Sequence, residues 1–417
     1  MKGKRLLALL GSVCLMLVLA SLPFMGACAK PAPSPAPSPA PAPAPAAPKS
    51  IVIGIEIGLT GGDASIGQPA KNGYDLAVED INKDGGVFVK EFGKKIPLEL
   101  AYVDTETDPE KAVARAEALN SQYKATVACG TTMISATSDI WEKNKLPCIT
   151  TLMSINGLME RGFKYWFAMG DLNSDKVKAI LNPFDNLPKD VRPTKWAVFE
   201  EQTDWVAEFF VLAKKEAAAR GLNLVYEGKY AMMSPDLSPL IRGAKDAGAE
   251  AILSCPTPPD AITMLKQMKE LGYNPKGIIM TRGADDPLWA QILGPMGEYV
   301  VGAPDWHHAI NFPGVKELDA KYKAKFGTDA HPAAGPAYAS IQVVAAAIEK
   351  AGTLDRSKIR DAIAATDMMT VIGPVKFRDN GAIIDPPLVA IQWQKGVMEL
   401  IGPDNLKTKS LVYPIPR

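Results

Sequence analysis

The chain has 417 residues, 47% hydrophobic and 22% charged, and its 46 basic residues are matched by 46 acidic ones. This is the composition of an ordinary soluble protein, and its even charge excludes a nucleic-acid surface, which needs a clear basic excess. Neither the five cysteines nor the three histidines stand at metal-ligand spacing, so no metal and no cofactor is expected.

The amino terminus departs from this average. Lys2, Lys4 and Arg5 precede an apolar run from Leu6 to Leu22, followed by Met25-Gly26-Ala27-Cys28. A charged start, an apolar centre short for a membrane span and a small-residue cleavage site describe an export signal over 1–27. Its ending on Cys28 resembles the motif of bacterial lipoproteins, which implies that Cys28 is lipidated and anchors the mature chain to a membrane. An ordinary signal peptide with an incidental cysteine and an uncleaved anchor helix are the alternatives. Residues 31–48, PAPSPAPSPAPAPAPAAP, cannot build a core. Proline at nearly every second place favours polyproline geometry, and at about 3.1 Å per residue these residues, the body of a 28–49 tether, reach roughly 55 Å.

What remains is more than one core usually serves, so two lobes are expected. Ile51 to Ile57 is a nearly continuous apolar run, as a central parallel strand should be. It ends in Gly58-Leu59-Thr60-Gly61-Gly62. A helical stripe through Ala70, Tyr74, Ala77 and Ile81 follows, then an alternating strand from Pro97 to Val103. Asp108-Pro109 opens the next helix with a capping acid and a proline at its first position. Ala125 to Cys129 and Pro147 to Ile149 have strand length and flank a helical segment bearing Ile134, Thr137, Ile140 and Trp141. These two should be parallel neighbours, with Thr131, Thr132, Thr150, Thr151 and Ser154 on their shared carboxyl edge.

Around 163–173 the rhythm lapses, and then it starts again. A helix at 176–186, strands at 196–200, 222–230, 249–254, 277–281 and 299–302, and helices at 206–219, 239–248 and 261–271 repeat the first half's architecture without its residues. Long helices at 313–326 and 336–351 and mixed strands over 371–401 close the chain. Alternating strand and helix throughout predicts an α/β fold of two doubly wound, Rossmann-like lobes. Cys129, Cys148 and Cys255 lie in or beside apolar strands, where buried thiols are the plainer account; a Cys129–Cys148 pair stays open.

No catalytic constellation stands out. There is no G-x-S-x-G elbow and no Gly-rich phosphate loop, and His307 and His308 beside Trp306 suit packing better than chemistry. The chain is not expected to be an enzyme. What it has is a set of strand-end residues suited to binding: Thr60, Thr131, Thr132, Thr151 and Ser154 in the first half, and Glu200, Glu201, Trp205, Thr257 and Arg282 in the second. Hydroxyls and amides hold a carboxylate, arginine holds one bidentately, and an aromatic face covers an apolar body. Any single hydroxyl is as readily the cap of the helix after it, and Arg282 with Glu201 as readily an inter-lobe salt bridge.

The segments IVIGIEIGLTGGDASIGQPAKNGYDLAVEDINKDGG, SATSDIWEKNKLPCITT, GPAYASIQVVAAAIEKAG and VIGPVKFRDNGAI, in this order, resemble the extracytoplasmic leucine/isoleucine/valine-type solute-binding proteins of ABC transporters. The resemblance implies a type I periplasmic binding protein fold, with three crossovers near residues 170, 303 and 368. The lobes are then 50–170 with 304–367, and 171–303 with 368–417. It further implies a monomer that traps a small molecule between closing lobes and delivers it to ABC transporter permease subunits. Thr131 falls at a ligand-carboxylate hydroxyl, Leu152 at a backbone contact, Ser154 at a second hydroxyl and Trp205 at a covering aromatic, while Thr257 replaces another aromatic. Arg282 falls where an acid usually neutralises the ligand's ammonium, which favours an organic or aromatic acid unless Asp285 or Asp286 supplies that acid. Thr107 stands where a paired cysteine is expected. The competing expectations are a ligand-sensing receptor subunit built on the same fold and an exported enzyme.

Overall fold

The computed structural model describes residues 46–152, 155–286 and 288–416. The signal segment, nearly all of the tether, Cys28 and Ser154 lie outside the described residues.

The first sheet begins with β1 (Ile51–Ile57), whose seven residues are almost wholly buried, as a central strand of a parallel sheet must be. It leads through α1 (Ala64–Lys83), a small hairpin of β2 (Val87–Val89) and β3 (Lys94–Ile96), and β4 (Leu98–Asp104). Next come α2 (Pro109–Ser121), β5 (Val127–Gly130), α3 (Ile134–Lys143), β6 (Cys148–Thr150), the single-turn α4 (Asn156–Met159) and β7 (Trp166–Ala168). Asp108 caps α2 as expected, accepting the Lys111 amide at 2.9 Å. The five strands run parallel in the order β4-β1-β5-β6-β7. Because β1 feeds β4 on one side and the chain returns to β5 on the other, the sheet's switch point lies between β1 and β5.

The second sheet follows α5 (Asn173–Asp185) and takes in β8 (Lys195–Glu201), α6 (Asp204–Ala219), β9 (Asn223–Tyr230), α7 (Ser238–Asp246) and β10 (Ala251–Ser254). It continues with α8 (Pro258–Glu270), β11 (Gly277–Met280), α9 (Trp289–Leu293) and β12 (Val300–Gly302). The chain then crosses back. α10 (Val315–Phe326) and α11 (Ala334–Ala351) cover the first sheet, where Tyr338 donates to Asp80 of α1 at 2.7 Å and Asn72 to Tyr322 at 3.3 Å. α12 (Arg356–Ala364), β13 (Asp367–Thr370) and β14 (Gly373–Lys376) follow, and β15 (Ala390–Gln394) and β16 (Val397–Gly402) complete a seven-stranded sheet. Its order is β16-β15-β12-β11-β10-β8-β9, with only β15 running antiparallel to its neighbours, and its switch point lies between β8 and β10.

One boundary differs from expectation, and the open question of a Cys129–Cys148 pair resolves to the plainer account. The last return to the second lobe comes later than residue 368, because the chain still pairs with the first sheet's edge well beyond it. Ala168 accepts the Ile383 amide and donates to the Gly381 carbonyl, both at 2.9 Å, so the switch falls between Ile383 and β15. Cys129 and Cys148 are separate buried thiols rather than a disulfide.

Candidate ligand-binding cleft

Parallel strands place all their carboxyl ends on one edge, and the register fixes which residues meet there. Glu56 lies opposite Gly130, and Gly130 opposite Thr150, in the first sheet; Phe199 lies opposite Ser254, and Ser254 opposite Met280, in the second. The loops just beyond these ends enclose a cavity of about 430 Å³ with walls from both sheets. A hollow of about 690 Å³ near α5 and the 402–406 turn is larger, but it touches none of the residues at the ends of β1, β5, β8 or β11. It also leaves no buried side-chain polar atom unpaired among the described residues, which the smaller cavity does.

On the first wall the chain turns from Gly130 into α3, and residues 132–136 line the cavity. The opening amides of any helix lack intrahelical partners, so this turn offers N–H donors and the positive end of the helix dipole. Thr132 Oγ1 is buried beside them without a hydrogen bond among the described residues. Asp63, at the start of α1, adds a carboxylate only 4% exposed, positioned through its amide, which donates to Thr107 Oγ1 at 3.1 Å.

On the second wall β8 runs into α6. Thr203 and Trp205 line the cavity, and Thr203 Oγ1 and Trp205 Nε1 are buried and unpaired among the described residues. The Trp205 ring stacks on Phe209 at 5.7 Å between centroids. Arg282 reaches over the end of β10, its Nε 3.4 Å from the Pro256 carbonyl, to donate from Nη2 to Glu201 Oε1 at 2.6 Å. Burial opposes the guanidinium charge, yet Glu201, with Asp63 across the cavity, holds its pKa above the ordinary value. Burial also raises the Glu201 pKa, with Arg282 pulling the other way. The pair joins two strand ends of the second lobe, so it is not an inter-lobe bridge.

Four expected site residues make contacts within the protein and do not line the cavity. Thr60 is exposed and donates to Asp104 Oδ2 at 2.8 Å, tying down its loop. Thr131 is buried with its hydroxyl 3.4 Å from the Tyr74 phenol, facing the core. Leu152 is 1% exposed within the core. Thr257 donates its hydroxyl to Asp260 at 2.9 Å and its amide to Glu201 at 3.1 Å, a local arrangement at the start of α8. Thr132, Trp205 and Arg282 do line the cavity. Asp285 does not: it is half-buried beside a cluster at the crossovers, where Lys176 Nζ lies 2.8 Å from Asp305 Oδ1 and donates to the Ala303 carbonyl at 2.9 Å. His307 is neutral, donating from Nε2 to the Met398 carbonyl at 2.9 Å, while burial pushes its pKa down to about 3. His308 faces Asp319 at 3.4 Å, outside the cavity.

Sequence reasoning missed Asp63 and Thr203. Both stand just before a helix, in GGD and QTD, the same signal that drew attention to the hydroxyls after β5 and β6. Glu56 was also missed, although one acid in an otherwise apolar strand is itself unusual. It is fully buried, and neither carboxyl oxygen has a hydrogen-bond partner of good geometry among the described residues. Burial pushes its pKa from 4.5 to about 8; the Thr131 and Met133 amides oppose this and the Asp63 charge adds to it.

Two α/β lobes linked by crossovers, with a cavity between strand ends, are the architecture of a solute-binding protein. Residues 50–397 match the model of the periplasmic binding protein family, and the chain belongs to that family. It is similar to Leu/Ile/Val-binding protein homolog 8 of Brucella abortus (strain 2308), with 24% identity over 367 residues, 83% of this chain and 89% of that protein. Its fold matches the branched-chain amino acid transporter substrate-binding protein LivJ from Streptococcus pneumoniae in complex with isoleucine (TM-score 0.74, 20% identity, 85% of this chain and all of that one). It also matches a solute-binding protein of an ABC transporter from Rhodopseudomonas palustris BisB5 in complex with 3,4-dihydroxybenzoic acid (TM-score 0.71, 21% identity, 88% and 96%). The family is extracytoplasmic, binds small molecules and works with ABC transporter permeases. Among the described residues no helix is long and apolar enough to cross a membrane.

Proposed function

We propose that this protein captures a small carboxylate-bearing molecule between its lobes and passes it, unaltered, to the permease of an ABC transporter while lipid on Cys28 holds it at the membrane. The observation that carries the reading is the set of unpaired polar atoms on both walls of one cavity: Thr132 Oγ1 on the first, Thr203 Oγ1 and Trp205 Nε1 on the second. Buried polar groups are almost always paired, so a guest that completes these bonds is expected. Its carboxylate sits at the opening amides of α3 with Thr132, and Trp205, Met133, Ile155 and Met232 cover its apolar body.

Arg282 is a weaker argument against amino acids than its charge alone suggests, because Glu201 already neutralises it and Asp63 faces the same space. Branched-chain amino acids and aromatic acids are therefore both in the candidate class, in keeping with the isoleucine and the dihydroxybenzoate bound by the two structural relatives. A thermal-shift panel of leucine, isoleucine, valine, benzoate and 3,4-dihydroxybenzoate tests this. A guest at a hundredfold excess over its Kd stabilises by about 2.7 kcal/mol, which raises the melting temperature by several degrees. Trp205→Ala and Thr132→Ala should each reduce that shift. Stabilisation by sugars alone, or recovery of a chemically altered guest, overturns the reading.

A further inference from the structure

Glu56 is the only charged residue in β1, and its position is built for it. The residue opposite is Gly130, and a Cβ there would come within 3.2 Å of Glu56 Oε2. The same side of Gly130 is bordered by Cys148 Sγ and the Ile134 side chain, 3.7 and 3.9 Å from that Cβ position. The charged and titratable groups that face the carboxyl are the Cys148 thiol, held neutral by burial, and Asp63, a like charge. No cation faces it among the described residues. An ionised carboxylate in such a place is costly, so the group stays protonated near neutral pH.

The carboxyl lies beside Gly130 and Ile134, under the turn that opens α3, where the Thr131 amide donates to the Glu56 main-chain carbonyl at 3.1 Å and the Thr131 and Met133 amides favour charge on the carboxyl. The cavity face of that same turn is where a guest carboxylate is expected. Two carboxyl groups therefore address one helix start, one from inside the lobe and one from the cleft. In a partly dry site like charges this close do not both ionise readily, as paired carboxyls elsewhere illustrate.

We infer that Glu56 is a positioning residue for ligand charge: its protonated carboxyl leaves the start of α3 free for an anionic headgroup, so that guest and proton are held together. This rests on the carboxylate reading of the cleft. By linkage, affinity for an anionic guest is highest while Glu56 is protonated and falls as pH rises through its titration, by at most about tenfold per pH unit. Equally, binding near the titration midpoint takes up a fraction of a proton.

Titration calorimetry with the full chain tests this, using benzoate, whose own charge is constant from about pH 6 to 9, or leucine if benzoate does not bind. At about pH 8, repeating the titration in buffers of different ionisation enthalpy should reveal proton uptake by the wild type and none by Glu56→Gln. The affinity of the wild type should weaken from about pH 7 to 9 and that of Glu56→Gln should not. Carboxylate binding with a flat pH profile and no proton uptake overturns the inference and leaves the carboxylate reading intact. Failure of every carboxylate to bind at any pH overturns both. If Glu56→Gln does not fold, wild-type proton uptake alone decides.

Discussion

At the scale of single residues, the Arg282–Glu201 pair best illustrates why charge cannot be assigned from a strand-end position alone. Glu201 is completely buried and Arg282 nearly so, and the guanidinium crosses the end of β10 to reach a carboxylate 81 residues earlier. Removing the arginine alone strands a buried charge, whereas replacing both partners removes the desolvation cost as well as the attraction. Arg282→Met should therefore destabilise by about 3–5 kcal/mol, and Arg282→Met with Glu201→Leu should recover most of that loss. Urea denaturation of both variants checks this; additive losses would mean that the pair is not coupled. Both residues were legible in the sequence as candidates, because each follows an apolar strand. Their pairing was legible only as a bridge between lobes; that it lies within one lobe depends on β8 and β11 flanking β10 and on a side chain long enough to span it. The partners of the Thr60, Thr131 and Thr257 hydroxyls were not legible for a related reason: a short polar side chain finds the nearest partner, and only the three-dimensional neighbourhood supplies Asp104, Tyr74 and Asp260.

At the scale of elements, the two helices that seal the first lobe meet at a glycine. α1 and α11 pack so closely that a Cβ on Gly73 would stand 2.3 Å from the Ala334 carbonyl oxygen. That oxygen is backbone and cannot rotate away, so Gly73→Ala must push the helices apart, and overpacking of this kind costs about 1–3 kcal/mol. A gain in stability, which alanine's better helix propensity would give on an exposed surface, would contradict the packing argument. Chemical denaturation separates the outcomes. This contact joins segments far apart in the chain, and it explains what the pattern reading recovered and what it lost. Long periodic stretches such as α1, α6 and α11 were legible because their apolar residues recur on one face. β7, the β2–β3 hairpin and α12 were not: the first two have three-residue strands, too short to show a period, and α12 carries four charged residues in nine, with little apolar face to mark it. The late strands were visible as strands, but Ala168 pairing across to 381–383 is a long-range choice that local sequence does not encode.

For the whole molecule, the buried titratable groups set a stability profile whose sign can be worked out. His307 and His331 are pushed down from 6.5 to about 3 and about 4, chiefly by burial, so the folded chain keeps them neutral while the unfolded chain protonates them below about 6.5. Their contribution is complete above that pH and is lost as pH falls towards the folded values. Glu56 and Asp285 are pushed up, to about 8 and about 7, also chiefly by burial, and Asp171 moves the same way. For these acids the folded chain holds protons that the unfolded chain releases above about pH 4.5, so each weakens the fold as pH rises until its own folded pKa is passed. Each full proton of difference is worth about 1.4 kcal/mol per pH unit at most. Between about pH 4.5 and 6.5 the two sets oppose one another. Below that window the histidines dominate and stability falls with acid; above it they no longer differ, and the acids alone lower stability up to about pH 8. Melting temperatures of the ligand-free protein from about pH 4 to 9 should therefore peak on the acid side of neutrality, and Glu56→Gln should soften the decline between about pH 6.5 and 8. A wild-type optimum above pH 8 would mean that Glu56 and Asp285 are ionised in the folded chain, and the neutral carboxyl beneath α3 would have to be given up.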